Sequence, residues 1–174
     1  VEKMPRFRAQ QIFDWATLYA PFDEMTNIPQ DLREKLKQHF DDQPVKIERE
    51  LVSKDGTKKY LFQVGERRKA EGERLEAGYI EAVYIPDDDR ATLCVSTQAG
   101  CKMGCKFCMT GRQGFQGNLS TTDILNQIYS LPERDKLTNV VFMGQGEPMD
   151  NIEAILKATS LLTDTTGYAW SPKR

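Results

Sequence analysis

Apolar residues recur at helical spacing through the start of the chain. Phe7, Ile12, Trp15 and Leu18 mark one stripe, and Leu32, Leu36 and Phe40 mark a second. Pro29 suits the first turn of the second helix, where a missing N–H costs nothing. From Val45 the period shortens. Val45 to Val52 alternates as a strand does, Asp55-Gly56 is a hairpin turn signal, and Tyr60 to Val64 returns. Gly65 to Gly72 is charged and reads as a loop, and Leu75 to Pro86 reads as a further strand.

After Asp87-Asp88-Asp89 the texture changes. Ala91 to Thr97 is a short apolar run fit for a buried strand, and a glycine-rich cysteine segment follows. Ser120 to Asp123 offers a helix N-cap ahead of Ile124, Leu125 and Ile128. Asn139 to Met143 is a second buried-strand candidate, and Asn151 to Leu162 a second helix. Strand, helix, strand, helix implies a parallel sheet with right-handed crossovers, an α/β arrangement. Two such units cannot close a sheet or barrel by themselves. A third strand is due where Ser171-Pro172-Lys173-Arg174 stand, so the chain is expected to be a fragment. The first residue is not Met, which suggests a trimmed native start.

Composition narrows the class. Of 174 residues, 39% are hydrophobic, enough for a core, and no apolar run is long enough to span a bilayer. The N-terminus has no secretory h-region, so a cytoplasmic protein with no membrane partner is expected. The net charge of −2 argues mildly against a nucleic-acid partner, since such domains are usually basic. Basic residues do cluster at Lys58-Lys59 and Arg67-Arg68-Lys69, which read as solvated surface, and at Lys102, Lys106 and Arg112 around the cysteines.

The four cysteines carry the chemistry. Three of them, Cys101, Cys105 and Cys108, form a C-x3-C-x2-C run. In a reducing compartment, such crowding suits a metal or cluster better than a disulfide framework. An iron–sulfur cube normally takes one thiolate per iron. Three thiolates leave one iron open, and an open position marks a reactive site rather than a structural one. That iron can chelate a small molecule, and the reduced cluster can pass it an electron. Gly100 and Gly104 let the loop wrap closely round a cube. The bland alternative is a zinc site with Cys94 or His39 as fourth ligand. Zinc knuckles usually pair two short motifs, whereas one C-x2-C pair is present and the single histidine is about sixty residues away.

C-x3-C-x2-C with an aromatic residue before the last cysteine resembles the radical S-adenosylmethionine superfamily. Flanking segments narrow it. Tyr84-Ile85-Pro86, Arg90 to Gln98, Gly114-Phe115 with Asn118-Leu119, and Asn139 to Pro148 resemble the RlmN/Cfr family of RNA adenine methyltransferases. So do Phe7 to Ile12 and Phe22 to Thr26, and the resemblance spans nearly the whole chain apart from a charged insertion near Glu66 to Gly78.

The resemblance implies the start of a radical S-adenosylmethionine partial (βα)6 TIM-like barrel, preceded by a small α+β N-terminal accessory domain. It implies a helical part at 1–44, a strand extension at 45–86 and the first βα units of the core at 87–174. Cofactors would be a [4Fe–4S] cluster on Cys101, Cys105 and Cys108, and S-adenosylmethionine. Gly146-Glu147-Pro148 follows the second strand, at the end where α/β folds bind ligands. The family implies that Glu147 accepts a hydrogen bond from the cofactor ammonium and that Gly146 admits the backbone; the alternative is an ordinary turn ended by proline. Cys94 reads as a small core residue on its own, whereas the family implies a thiol that resolves a covalent enzyme–RNA adduct through a transient disulfide. Glu81 reads either as an outward strand residue, with Ile80 and Ala82 on the other face, or, as the family implies, as the proton acceptor.

The implied reaction methylates C2 of an adenine in 23S rRNA and in tRNA. One S-adenosylmethionine methylates a protein cysteine. A second yields a 5′-deoxyadenosyl radical that activates the methyl group for addition to the base. The accepting cysteine lies in the family's C-terminal part, so this chain by itself is expected to bind the cluster without completing methylation. An electron donor such as flavodoxin and a monomeric state are implied. The alternatives are a Cfr-like enzyme acting at adenine C8 and a non-catalytic, zinc-stabilised RNA-binding module.

Overall fold

Both apolar stripes fold as helices, α1 at Arg6–Thr17 and α2 at Gln30–His39. A single 3-10 turn at Phe22–Glu24 lies between them. Pro29 sits immediately before α2 rather than inside its first turn. Phe22, Met25, Ile28 and Leu36 form a buried cluster against which Ile12, Trp15 and Leu32 pack. Phe7, Leu18 and Phe40, the ends of the two stripes, are exposed. The computed structural model describes residues 4–18, 20–40, 42, 45–64 and 78–174. They fall into two units: residues up to 44 with Leu161–Pro172, and Val45–Ser160 with Lys173 and Arg174. The loop expected from Gly65, the basic run Arg67-Arg68-Lys69 and the insertion as far as residue 77 lie outside the described residues.

The second unit is a mixed α/β structure. Its strands are β1 (Ile47–Val52), β2 (Lys58–Val64), β3 (Gly78–Pro86), β4 (Ala91–Cys94), β5 (Gln98–Gly100), β6 (Phe115–Asn118) and β7 (Asn139–Val141). Five of them make one sheet in the order β1-β2-β3-β4-β7. The first four run antiparallel to their neighbours, and β4 and β7 are parallel, the pairing expected of a βα unit. The Asp55-Gly56 turn closes the first hairpin, with the Ser53 N–H donating to the Thr57 carbonyl (2.8 Å) and Gly56 at φ +84°. A residue with a side chain is strained at that angle.

Alternation divides the sheet cleanly. Tyr60, Phe62, Ile80, Ala82, Tyr84 and Leu93 are buried on one face. Helix α4 (Thr121–Tyr129) adds Ile124, Leu125 and Ile128 to the core of this unit. Its start is fixed by the expected cap: Ser120 Oγ accepts from the Asp123 N–H, and the Asp123 carboxylate accepts from the Ser120 N–H (2.8 Å). Register places Lys59, Val83, Cys94 and Val141 side by side on the other face, with Leu61 and Glu81 in the adjacent row.

Two sequence expectations change in detail. The run Ala91 to Thr97 is a strand only as far as Cys94. Beyond it Ser96 bonds to the Gln127 side chain and Thr97 to the Gln145 carbonyl (2.9 Å), so the ladder breaks there. Gln98–Gly100 then pairs with Phe115–Asn118 as a separate two-stranded sheet. The strand at Asn139 ends at Val141 and is half-buried, because β7 is the last strand of its sheet. Helix α5 (Ile152–Thr163) follows a 3-10 turn at Pro148–Asn151. No helix among the described residues is long and apolar enough to cross a membrane.

One polar cluster anchors the buried face. Tyr60 Oη donates to Glu133 Oε2 (2.7 Å), and Lys58 Nζ pairs with Glu133 Oε1 (2.6 Å). Burial alone would raise the Glu133 carboxyl, but Lys58 and Tyr60 outweigh it and hold the carboxyl below its ordinary value. Glu133→Gln keeps an acceptor for Tyr60 and loses the charge. It should cost about 1.5–3 kcal/mol at neutral pH. A depressed carboxyl stabilises above its unfolded pKa, so the difference from wild type should shrink as pH falls below about 4. Thermal melts of both proteins across pH check this.

Candidate functional site

The cysteines hang from the β5–β6 hairpin. Gly100, the last residue of β5, stands at φ +72°, and a Cβ there would lie 1.8 Å from the Gly114 carbonyl oxygen. Only glycine lets the two strands approach so closely. The Cys101 N–H donates to that same carbonyl (3.3 Å), so the first cysteine begins where the ladder ends. Gly104 turns the loop at φ +61°. The Cys108 N–H donates to the Cys105 carbonyl (3.0 Å), which folds the C-x2-C half into a turn. The short helix α3 (Met109–Arg112) starts immediately after Cys108. The backbone N–H groups of Gly111 and Thr110 bond the Cys108 thiol and hold it below the ordinary thiol value, which favours the thiolate a metal requires. Phe107 is 92% exposed beside it.

None of the three thiols is in a disulfide; Cys105 is exposed and the other two are half-buried. The structure brings them onto one loop, but among the described residues no three Cys, His, Asp or Glu side chains are gathered as a metal-holding group. The donor set nevertheless fits a cube: three unpaired thiols, one held below the ordinary thiol value by backbone N–H groups, on a loop relieved of side-chain bulk at Gly100, Gly104 and Gly111. At Gly111 a Cβ would lie 3.2 Å from the Cys105 backbone nitrogen. His39 ends α2 in the other unit, and Cys94 lies in β4 rather than on the loop.

The segment after β7 is built against the β4–β5 connection. A Cβ at Gly144 would meet the Val95 carbonyl at 2.7 Å, and one at Gly146, with φ +99°, would meet Gln98 Cβ at 2.6 Å. Ser96 Oγ accepts from the Gln145 N–H (2.9 Å) and donates to the Glu81 carbonyl (2.5 Å). The buried Asn151 amide closes the end of this segment by donating to the Thr97 and Leu119 carbonyls, both at 2.8 Å. Glu147 sits just before the 3-10 turn, and its Oε1 accepts from the Met149 N–H (3.0 Å).

Glu81 and Cys94 share the face of the sheet opposite the core, as register requires. Glu81 is outward, as the flanking Ile80 and Ala82 imply, and pairs with Lys59 Nζ at 3.2 Å. Cys94 is half-buried between Val83 and Val141. Burial pushes its thiol up, and a bond from the Met143 N–H offsets part of this.

Sequence reasoning overlooked Gln98 and Asp150, and noted Lys102 only as part of a basic cluster. Gln98 is fully buried and bonds Glu147, Asn118 and Asp150. Lys102 Nζ pairs with Asp150 Oδ2 at 2.8 Å and lies 4.7 Å from the centre of the Phe115 ring. The available signal was a polar triplet, Ser96-Thr97-Gln98, directly following an apolar strand. Buried polar side chains must find partners.

Known proteins match this architecture. Residues 95–167 match the radical SAM superfamily, and residues 2–41 match the ribosomal RNA large subunit methyltransferase N-terminal domain. A probable dual-specificity RNA methyltransferase RlmN of Bacteroides thetaiotaomicron is 55% identical over 98% of this chain and 47% of its own length. The dual-specificity RNA methyltransferase RlmN of Geotalea uraniireducens is 42% identical over 97% of this chain and 47% of its own. The crystal structure of a radical SAM methyltransferase from Sphaerobacter thermophilus superposes with a TM-score of 0.83 at 36% identity, covering 98% of this chain and 50% of that one. The chain belongs to the radical SAM superfamily and, within it, to the RlmN family. Its sheet and helices form part of a radical SAM barrel. It spans about half the length of the curated relatives it matches.

Proposed function

We propose that this chain is the front portion of a radical enzyme that methylates C2 of an adenine in 23S rRNA and in tRNA. Cys101, Cys105 and Cys108 would hold a [4Fe–4S] cluster. The observation that carries this reading is the juxtaposition of two loops. Three unpaired thiols lie on one glycine-shaped loop, and Gln98 and the Lys102–Asp150 pair tie that loop to the segment bearing Gly146 and Glu147.

When bound, the cluster supplies the single electron that cleaves S-adenosylmethionine. The remaining work falls to the chain. The Glu147 carboxylate accepts from the cofactor ammonium, and Gly146 keeps the backbone beneath it free of a side chain. Glu81, on the face opposite the core, takes the proton released from the adenine. Cys94, on the same face, supplies the second thiol, which burial pushes above its ordinary value. The cysteine that accepts the methyl group belongs to the rest of the protein, so this segment alone binds the cluster without completing methylation.

The parts are residues 1–44 as a helical accessory domain that helps hold RNA, 45–86 as an extension into the core, and 87–174 as the first βα units. The matches at 2–41 and 95–167 support this division. The whole protein works as a cytoplasmic monomer with a flavodoxin-like electron donor. The relatives named as dual-specificity RNA methyltransferases support two RNA substrates.

Metal analysis tests the core of the reading. After anaerobic treatment with iron and sulfide, the chain should turn brown and hold about four irons and four sulfides. A colourless protein that takes up zinc instead would replace the enzyme with a zinc-stabilised RNA-binding module. Modification of 23S rRNA and tRNA by the full-length protein, read by mass spectrometry and NMR, then distinguishes a C2 from a C8 product.

A further inference from the structure

We infer that Gln98 is a positioning residue that sets Glu147 in register with the cysteine loop. This rests on the roles proposed above for Glu147 and the three cysteines. Gln98 is 0% exposed, and its amide meets three residues on two separate segments. Oε1 accepts from the Glu147 backbone N–H at 2.9 Å. Nε2 donates to Asn118 Oδ1 at 2.8 Å, at the end of the second hairpin strand, and to Asp150 Oδ2 at 2.7 Å, in the turn after Glu147. The same Asp150 oxygen receives Lys102 Nζ at 2.8 Å, and Lys102 directly follows the first cysteine.

The stem of Gln98 is equally constrained. A Cβ at position 146 would fall 2.6 Å from Gln98 Cβ and 2.7 Å from Gln98 Cγ, so the Gly146 backbone lies directly on it. A buried glutamine with a purely structural role needs only partners of some kind. This one bonds the main chain of the residue proposed to bind the cofactor, and a carboxylate that reaches the cysteine loop. The span from Glu147 N–H through Gln98 and Asp150 to Lys102 is a single chain of bonds. It fixes where the Glu147 backbone stands relative to the loop that begins at Cys101.

The test uses the full-length protein, reconstituted anaerobically, with three readouts: iron and sulfide content, S-adenosylmethionine affinity by titration, and the EPR spectrum of the reduced cluster with and without S-adenosylmethionine. Gln98→Glu keeps an acceptor for the Glu147 N–H but sets a second carboxylate against Asp150. Gln98→Asn keeps the amide but is one methylene too short to bridge both partners. Each should load iron as wild type does and bind S-adenosylmethionine about tenfold more weakly, the worth of one net hydrogen bond. The cofactor-induced change in the EPR spectrum should appear only at correspondingly higher concentration. Combining Gln98→Glu with Asp150→Asn exchanges donor and acceptor, since the amide introduced at position 150 can donate to the carboxylate introduced at position 98. That double variant should recover part of the lost affinity, because it restores the bond between positions 98 and 150 while the Asp150 oxygen that also accepted from Lys102 Nζ is lost.

Affinity within about twofold of wild type in both iron-loaded single variants overturns the inference. So does a joint loss of iron and affinity that the double variant does not repair, because Gln98 would then only hold the fold. Glu147→Gln, run alongside, separates the two levels of reading. If it weakens binding while the Gln98 variants do not, positioning by Gln98 alone is wrong. If Glu147→Gln binds normally, the role of Glu147 fails first and the positioning inference fails with it.

Discussion

Replacing any one of Cys101, Cys105 or Cys108 with alanine should abolish stable iron incorporation on anaerobic reconstitution, whereas Cys94→Ala should load iron as wild type does. The contrast follows from placement. Cys101 starts where the β5–β6 ladder ends, and Cys105 and Cys108 are joined by a backbone turn on the same loop. Cys94 belongs to β4, in register with Val83 and Val141. A cube with three protein thiolates has no spare ligand, so loss of one leaves two irons open instead of one. The measurement is iron and sulfide per chain, with visible absorption as a second readout. Equal loss of iron in Cys94→Ala would overturn the three-ligand assignment and point to a four-cysteine site.

What could be read from sequence depended on how local each feature is. The helices at α1 and α2, the Asp55-Gly56 hairpin and the helix N-cap at Ser120 depend on residues within a few positions of one another, and all formed where expected. The β5–β6 hairpin was not foreseen. Its strands are three and four residues long, too short for alternation to register. The break after Cys94 was missed for a related reason. Val95 continues the apolar run, but Ser96 finds the Gln127 side chain instead of a strand partner, a contact thirty-one residues away. The outward direction of Glu81 could be inferred from Ile80 and Ala82. Its sharing a face with Cys94 could not, since that depends on the register between β3 and β4. The network around Gln98 is the extreme case. Gln98 lies just past the predicted strand, where the polar triplet shows only that partners are needed, and its meaning appears when Glu147, Asn118 and Asp150 converge on it.

Glu147→Gln in the full-length protein should bind S-adenosylmethionine about ten- to a hundredfold more weakly, because a charge-assisted hydrogen bond is worth about 1.5–3 kcal/mol. The substitution separates the turn cap seen in the structure from the proposed acceptor role. Glu147 Oε1 accepts from the Met149 N–H at 3.0 Å and so caps the turn at Pro148–Asn151. A glutamine carbonyl can accept that same bond, so a residue that only shapes the turn loses little when the charge is removed. An acceptor for a cofactor ammonium loses most of its pull. The backbone N–H of residue 147 still reaches Gln98, so the loop itself should not move. The cluster should assemble normally, since its ligands stand on the β5–β6 hairpin rather than on this segment. Reductive cleavage of S-adenosylmethionine should fall at sub-saturating cofactor and recover in part when cofactor is raised. Unchanged affinity with full iron content would remove Glu147 from the cofactor site and leave the three-cysteine assignment standing.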